Sequence, residues 1–270
     1  MYTLAIIFIF FLGTIIGSFL NVVIYRFNTG KSMVNSRSIC MTCNHTLRWY
    51  ELIPIFSFLI QSGRCRKCAS SISHQYPLVE FGTGLIFVLV ALHFLPVVSI
   101  SQSSYILLVT LFSFIFSLLV VISVYDIRHK IIPDKLVYVY ALISFISIFI
   151  NTTGVGPLLV KASLMSIVAG PLLALPFALL WLISKGKWMG LGDAKLMLGI
   201  GWMLGALSGL TVIMLSFWIG SVVSLAIMLF SHKKMNMKTE IPFAPFLIIS
   251  TAIVFFCNLD LFSLIALFQL

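Results

Sequence analysis

The sequence predicts an all-α polytopic membrane protein of about eight transmembrane helices, with a small domain inserted after the first of them. Three observations carry that prediction. Hydrophobic residues make up 61% of the 270 and charged residues only 9%, whereas a soluble domain is about 25% charged. Apolar runs long enough to span a bilayer, or nearly so, recur along the whole chain. The one sizeable polar stretch, 26–77, holds four of the five cysteines.

The elements follow in order. Residues 3–25 lack a basic n-region and a small-x-small cleavage site, so they read as a retained span and not as a signal peptide. Further spans are expected at 78–98, 104–125, 136–151, 159–183, 191–206, 208–230 and 243–268, the fourth and sixth of the series being short. Gly13 and Gly17 have the small-xxx-small spacing of closely packed helices. The chain divides on this reading into 1–25, a first transmembrane helix; 26–77, an inserted domain; and 78–270, the transmembrane domain.

Charge sets the expected orientation, because short loops rich in Lys and Arg stay cytoplasmic. Loop 26–77 carries Arg26, Lys31, Arg37, Arg48, Arg64, Arg66 and Lys67, and loop 126–135 carries Arg128, Lys130 and Lys135. Lys185 and Lys187, then Lys233, Lys234 and Lys238, follow in later loops that alternate with nearly uncharged ones. Eight spans place all these loops on the cytoplasmic side and both termini outside, with Lys161 alone on the other face. The net charge of +10 is accounted for by this topology, so no nucleic-acid partner is expected; the bilayer is.

The insertion contains "CMTC" (Cys40, Cys43) and "CRKC" (Cys65, Cys68), two Cys-x-x-Cys pairs with 21 residues between them. Each pair makes a tight knuckle, and two knuckles complete a tetrahedral four-thiolate site suited to Zn²⁺. Two disulfides are the alternative, disfavoured in a loop expected to face a reducing compartment. A closed four-thiolate site staples a domain of about 50 residues, a size that often needs one. Cys257, alone in the last span, reads as a small buried hydrophobe.

Only seven acidic residues occur in the chain. Asp126 ends the third span in "VVISVYDIRHKIIPDKL" and Asp193 opens the sixth in "GLGDAKL", so topology puts both at the cytoplasmic boundary, at one depth. Ionisable groups there are costly and mark functional sites. Two carboxylates in a low-dielectric site share a proton, and one can take a proton from water while the other gives one to a scissile carbonyl. Gly190 and Gly192, lacking Cβ atoms, let the backbone bend and a neighbouring helix or extended peptide come close. A helix N-cap is the competing reading for Asp193, and equally for Asp134 in "IPDKL". Asp126 resists it, since it follows a helix, where the dipole disfavours a carboxylate.

A resemblance covers nearly the whole chain. "GSFLNVVIYR" at 17–26, the cysteine pairs flanking "WYELIP" at 49–54, "SISHQYPLVEFGTG" at 71–84, "DIRHKIIPD" at 126–134, "GLGDAKL" at 191–197 and "IPFAPFL" at 241–247 resemble the type IV prepilin peptidase family. The resemblance implies a bifunctional enzyme of the bacterial inner membrane. It would remove the leaders of prepilins and type II secretion pseudopilins after a glycine at the cytoplasmic face, then N-methylate the new terminus with S-adenosylmethionine. It also implies Asp126 and Asp193 as the catalytic pair and Cys40, Cys43, Cys65 and Cys68 as metal ligands. Ala244 stands where the family has glycine, and Met41 where a proline is common.

Several roles rest on less. Pro242 and Pro245, at the start of the last span, remove backbone donors and can leave carbonyls free to seat an extended substrate, or simply begin a helix. No Gly-x-Gly-x-x-Gly follows a strand in 26–77, so S-adenosylmethionine rests on resemblance alone. Glu51 and Glu80 are the candidates to hold the pilin's terminal ammonium, against plainer readings as a solvated loop acid and a first-turn helix acid. No His-Glu-x-x-His supports a metalloprotease. A non-catalytic scaffold of a pilus or secretion machine, or an ion-coupled transporter, are the alternatives from other classes.

Overall fold

The computed structural model describes residues 2–30, 32–33, 37–230 and 241–263. Lys31, Lys233, Lys234, Lys238 and Glu240, counted above among the basic loops and the acids, lie outside the described residues. Among the described residues the secondary structure is helical apart from three isolated β-bridges. The α-helices are α1 (Tyr2–Arg26), α2 (Phe56–Ile60), α3 (Gln75–His93), α4 (Gln102–His129), α5 (Asp134–Ser147), α6 (Leu164–Ser184), α7 (Leu191–Leu204), α8 (Ala206–Phe230) and α9 (Ala244–Cys257).

Each of the eight expected spans contains a helix, and α2 is an extra turn within the insertion. Five helices, α1, α3, α4, α6 and α8, are long and apolar enough to cross a membrane. Helices α5, α7 and α9 have 14 residues each, about 21 Å at 1.5 Å per residue, short of a hydrocarbon core of about 30 Å. The run expected at 159–183 becomes helical only at Leu164, because the Ser163 side chain accepts the Ser166 N–H and fixes the start there.

One boundary shifts a site residue. Asp126 does not follow the third span; α4 continues through it to His129. The helix stops only where Lys130 takes a positive φ of 53° and Pro133 caps α5. Arg128 and His129 in the last turn suit the negative end of the helix dipole.

Backbone contacts divide the chain into two compact units, 1–121 and 122–270. In the first, α1 and α3 pack antiparallel with almost no separation. A Cβ on Gly13 would lie 2.8 Å from the Gly84 Cα, and one on Gly17 2.8 Å from the Glu80 Cα, so the small-xxx-small spacing does serve packing. In the second, α7 packs on α5 and α6, and α8 on α9. Backbones meet closely again where a Cβ on Gly201 would reach the Gly170 Cα at 2.7 Å.

Candidate active site

Unit 122–270 brings together residues from the end of α4, the start of α7 and the start of α9. Asp126 is 4% exposed and Asp193 7%, so both carboxylates are withdrawn from solvent. Each lies in the other's electrostatic field. The Asp126 carboxylate, at the end of α4, faces the backbone N–H of Ala244, the first residue of α9. The Asp193 carboxylate faces the Gly190 N–H. Asp193 Oδ1 is buried and has no hydrogen-bond partner among the described residues. An unmet buried acceptor costs about 1–3 kcal/mol and calls for a donor such as water or a bound chain.

The N-cap alternative for Asp193 is corrected in detail. Gly190 is the N-cap of α7, and Asp193 sits in the third helical position. Asp134 is likewise the first residue of α5, after the cap Pro133. Its carboxylate accepts a 2.7 Å bond from Lys195 Nζ, whose ammonium also lies 5.0 Å from the centre of the Tyr138 ring.

The two glycines before Asp193 differ. Gly190 has φ −75° and is exposed, and a Cβ there would meet nothing closer than 3.8 Å. Neither its conformation nor its packing requires glycine. Gly192 is where glycine is needed, since a Cβ would fall 2.7 Å from the Ile132 Cβ of the α4–α5 connection. That connection therefore presses on the first turn of α7 beside the carboxylates. Pro245, in the first turn of α9, is buried and gives up an N–H that the helix would leave unbonded anyway; Pro242 is half-buried just before it.

The four cysteines of the insertion form a second cluster. All four Sγ atoms lie within 4.8 Å of one another, and Cys40 and Cys68 are 3.8 Å apart. Tetrahedral thiolates about 2.3 Å from a metal would stand about 3.8 Å apart, so the donor set could hold a metal ion. The two knuckles are copies. Cys40 N–H donates to His45 O and Asn44 N–H to Cys40 O; Cys65 N–H donates to Ser70 O and Ala69 N–H to Cys65 O. Asn44 and Ala69 share φ near 55° at matching places. Backbone N–H groups of Cys43 and Thr42 bring the Cys40 thiol down to about 6, while Cys43, despite the His45 N–H, is pushed up to about 11 by burial and the neighbouring thiols.

Glu51 and Glu80 are both buried, which corrects the solvated-loop and first-turn readings. Glu51 accepts the Arg48 N–H at 2.8 Å and lies 3.7 Å from His45 Nε2. Glu80 is well inside α3 and accepts the Ile55 N–H at 2.7 Å. Cys257 is exposed at the end of α9, not buried. Sequence reasoning missed Ile132, the Ala244 N–H and Lys195; only Lys195, two positions beyond Asp193, left a trace, as a lone charge entering an apolar helix.

Two family models match the chain. Residues 11–94 match the bacterial peptidase A24 N-terminal domain, and residues 113–225 the type IV leader peptidase family. A prepilin leader peptidase/N-methyltransferase of Stutzerimonas stutzeri is 31% identical over 264 residues, covering 88% of this chain and 86% of its own. One of Bacillus subtilis is 33% identical over 90% of this chain and 89% of its own, and one of Vibrio cholerae 30% over 90% and 92%. No solved structure matches. With a buried aspartate pair and a four-cysteine cluster at the positions its motifs imply, the chain belongs to the type IV leader peptidase family.

Proposed function

We propose that this protein removes the leader of type IV prepilins and type II secretion pseudopilins after a glycine, at the cytoplasmic face of a bacterial inner membrane, and then N-methylates the exposed terminus. The observation that carries the reading is the pair Asp126 and Asp193, buried within one another's field with Asp193 Oδ1 unmet. The relatives are all named for both activities, and those names favour neither a scaffold nor a transporter.

The chemistry needs two carboxyl groups and one proton between them. One carboxylate takes a proton from water as the water attacks the scissile carbonyl; the other donates a proton to the substrate as charge develops. In this reading the Ala244 N–H faces Asp126 and the Gly190 N–H faces Asp193. The open flank at Gly190 admits the extended substrate, while Gly192 lets the α4–α5 connection close against α7. Pro242 and Pro245 set the start of α9 so that the Ala244 N–H faces Asp126.

The metal of the cysteine cluster is Zn²⁺ on this reading, because four thiolates at tetrahedral spacing suit it and leave no open position for catalysis. Cys40, Cys43, Cys65 and Cys68 hold it, and it staples the insertion. Methyl transfer belongs to the insertion too, with S-adenosylmethionine as donor; no residue is assigned to bind it. Glu51 and Glu80 are already engaged by the backbone at Arg48 and Ile55, so they shape the insertion and need not grip the pilin's ammonium.

Purified protein in liposomes, incubated with a prepilin and S-adenosylmethionine, should yield a product lacking the leader and carrying one methyl group by mass spectrometry. An unprocessed prepilin overturns the reading; a shortened but unmethylated product keeps the first activity and removes the second.

A further inference from the structure

The insertion was expected to be a cytoplasmic domain throughout, yet its middle does not sit at the end of the α1–α3 pair. Register fixes where it does sit. Gly17 of α1 lies against Glu80 of α3, where a Cβ on the glycine would be 2.8 Å from the Glu80 Cα. Gly17 is nine residues before the end of α1 at Arg26, so Glu80, which accepts the Ile55 N–H, stands about 13 Å in from that end at about 1.5 Å per residue. The Phe56 ring reaches further and stacks on Phe11 of α1, with centroids 6.3 Å apart and planes at 21°. Helix α1 is itself a candidate span over Thr3–Arg26.

The residues at that depth are apolar and uncovered. "LIPIFSFLI" at 52–60 carries no charge, while Arg48 and Arg64 flank it. Leu59 is 65% exposed and Ile60 71%, with Leu52, Ile53 and Phe56 also exposed. Exposed Phe8, Phe11, Leu12 and Ile15 on α1 continue the same kind of surface.

The backbone is arranged as a low-dielectric setting demands. Irregular chain is tolerated at membrane depth only when its polar groups are met internally. Most of the segment's polar groups are met close by: the N–H groups of Phe56, Ser57 and Leu59, and those of Gln61 to Gly63 just beyond it, donate to carbonyls of residues 53–59. Pro54 has no N–H to satisfy. Ile55 has φ 61° and ψ −53°, and the Phe56 N–H reaches back to Pro54 O at 2.6 Å, which makes a γ-turn of the strained, positive-φ kind. That turn leaves the Ile55 N–H pointing out of the segment, and buried Glu80 accepts it. A carboxylate placed inside a spanning helix thus has a use: it anchors the turn of a dipping segment.

We infer that 52–60 is a re-entrant segment whose apolar face, centred on Leu59 and Ile60, contacts lipid acyl chains alongside α1 and α3. The cysteine knuckles, which precede and follow it, then straddle a membrane-inserted turn and hold its two limbs together at the surface. The inference stands independently of the proposed peptidase chemistry, whose residues lie in the other unit.

The test places a photoreactive group at one position at a time, as Leu59→p-benzoylphenylalanine or Ile60→p-benzoylphenylalanine, in the full zinc-loaded chain. The protein is reconstituted in phosphatidylethanolamine and phosphatidylglycerol vesicles and illuminated, and adducts are identified by mass. Both positions should yield lipid adducts several-fold above Lys67→p-benzoylphenylalanine, which sits on an exposed knuckle. Yields equal to that control at both positions overturn the inference. So does an adduct to added prepilin formed in place of the lipid adduct, which would assign the face to the substrate helix.

Discussion

The cysteine cluster and the aspartate pair each gather residues that are distant in the chain, and they differ in what they leave unsatisfied. The four thiols converge on one another from two knuckles with the same backbone hydrogen bonds. With a metal bound, four thiolates would fill every position of a tetrahedral site. The aspartates come from the end of α4 and the start of α7, 67 positions apart, and each faces a backbone N–H. One buried oxygen, Asp193 Oδ1, has no partner among the described residues. A saturated site holds structure, whereas a site with an unmet buried acceptor is kept ready for a ligand. Substitutions should therefore separate the two: loss of an aspartate should remove chemistry without unfolding, and loss of a cysteine should unfold the insertion.

The largest effect is expected from Asp126→Asn or Asp193→Asn. Each should lower leader cleavage by at least about a hundredfold, since a lone carboxylate cannot perform both proton transfers. Thermal stability should stay close to that of the parent, because an amide matches the carboxylate in size and shape and removes a buried charge. Cleavage within about tenfold of the parent, measured by product mass against time, would sink the pair.

Cys65→Ser comes next. Removing one of four ligands should abolish stoichiometric metal in the purified protein and expose 37–72 to limited proteolysis, since binding and folding of such a domain are one equilibrium. Metal content and protease resistance that match the parent would show that the cluster is not a staple. A chelator should act slowly, through the insertion, and should not stop leader cleavage at once as it would in a metalloprotease.

How far these sites could be read beforehand depends on how local their signals are. The cysteine cluster is local: two Cys-x-x-Cys pairs specify two knuckles whatever the rest of the fold does. The aspartates became a pair only when the spans were counted and the basic loops put them at one depth. Their immediate surroundings were out of reach, because the Ala244 N–H and the Ile132 side chain arrive from elsewhere by tertiary packing. The end of α4 was misplaced because the apolar run stops before the helix does; polar Arg128 and His129 remain good residues for a helix C-terminus. The dip of 52–60 was hidden for the opposite reason. Nine uncharged residues are too few for a span, so the segment was read with the charged loop around it.

The glycines sharpen the comparison within the aspartate site. Gly192→Ala should cost about 1–3 kcal/mol of stability, as overpacking against a rigid neighbour does, because its Cβ would sit 2.7 Å from the Ile132 Cβ. Gly190→Ala should cost under about 1 kcal/mol, the difference between the two residues at a helix N-cap. Thermal or denaturant unfolding of both variants checks the order. If Gly190→Ala still slows leader cleavage, its effect falls on the approach of substrate to the open flank and not on the fold.

The smallest effect belongs to the pair next door. Lys195 and Asp134 bond at 2.7 Å, but their side chains are 20% and 62% exposed, and an ion pair that open to solvent is worth about 0–1 kcal/mol. Lys195→Met keeps an unbranched stem near the Tyr138 ring, so it removes the charge with little loss of packing. A double-mutant cycle with Asp134→Asn should give a coupling below about 1 kcal/mol, read from unfolding midpoints. Leader cleavage should fall no further than that small loss predicts if the pair only ties α5 to α7. A much larger fall in cleavage, with the coupling still small, would mean that the ammonium acts on the neighbouring carboxylates and that Lys195 belongs to the reacting site.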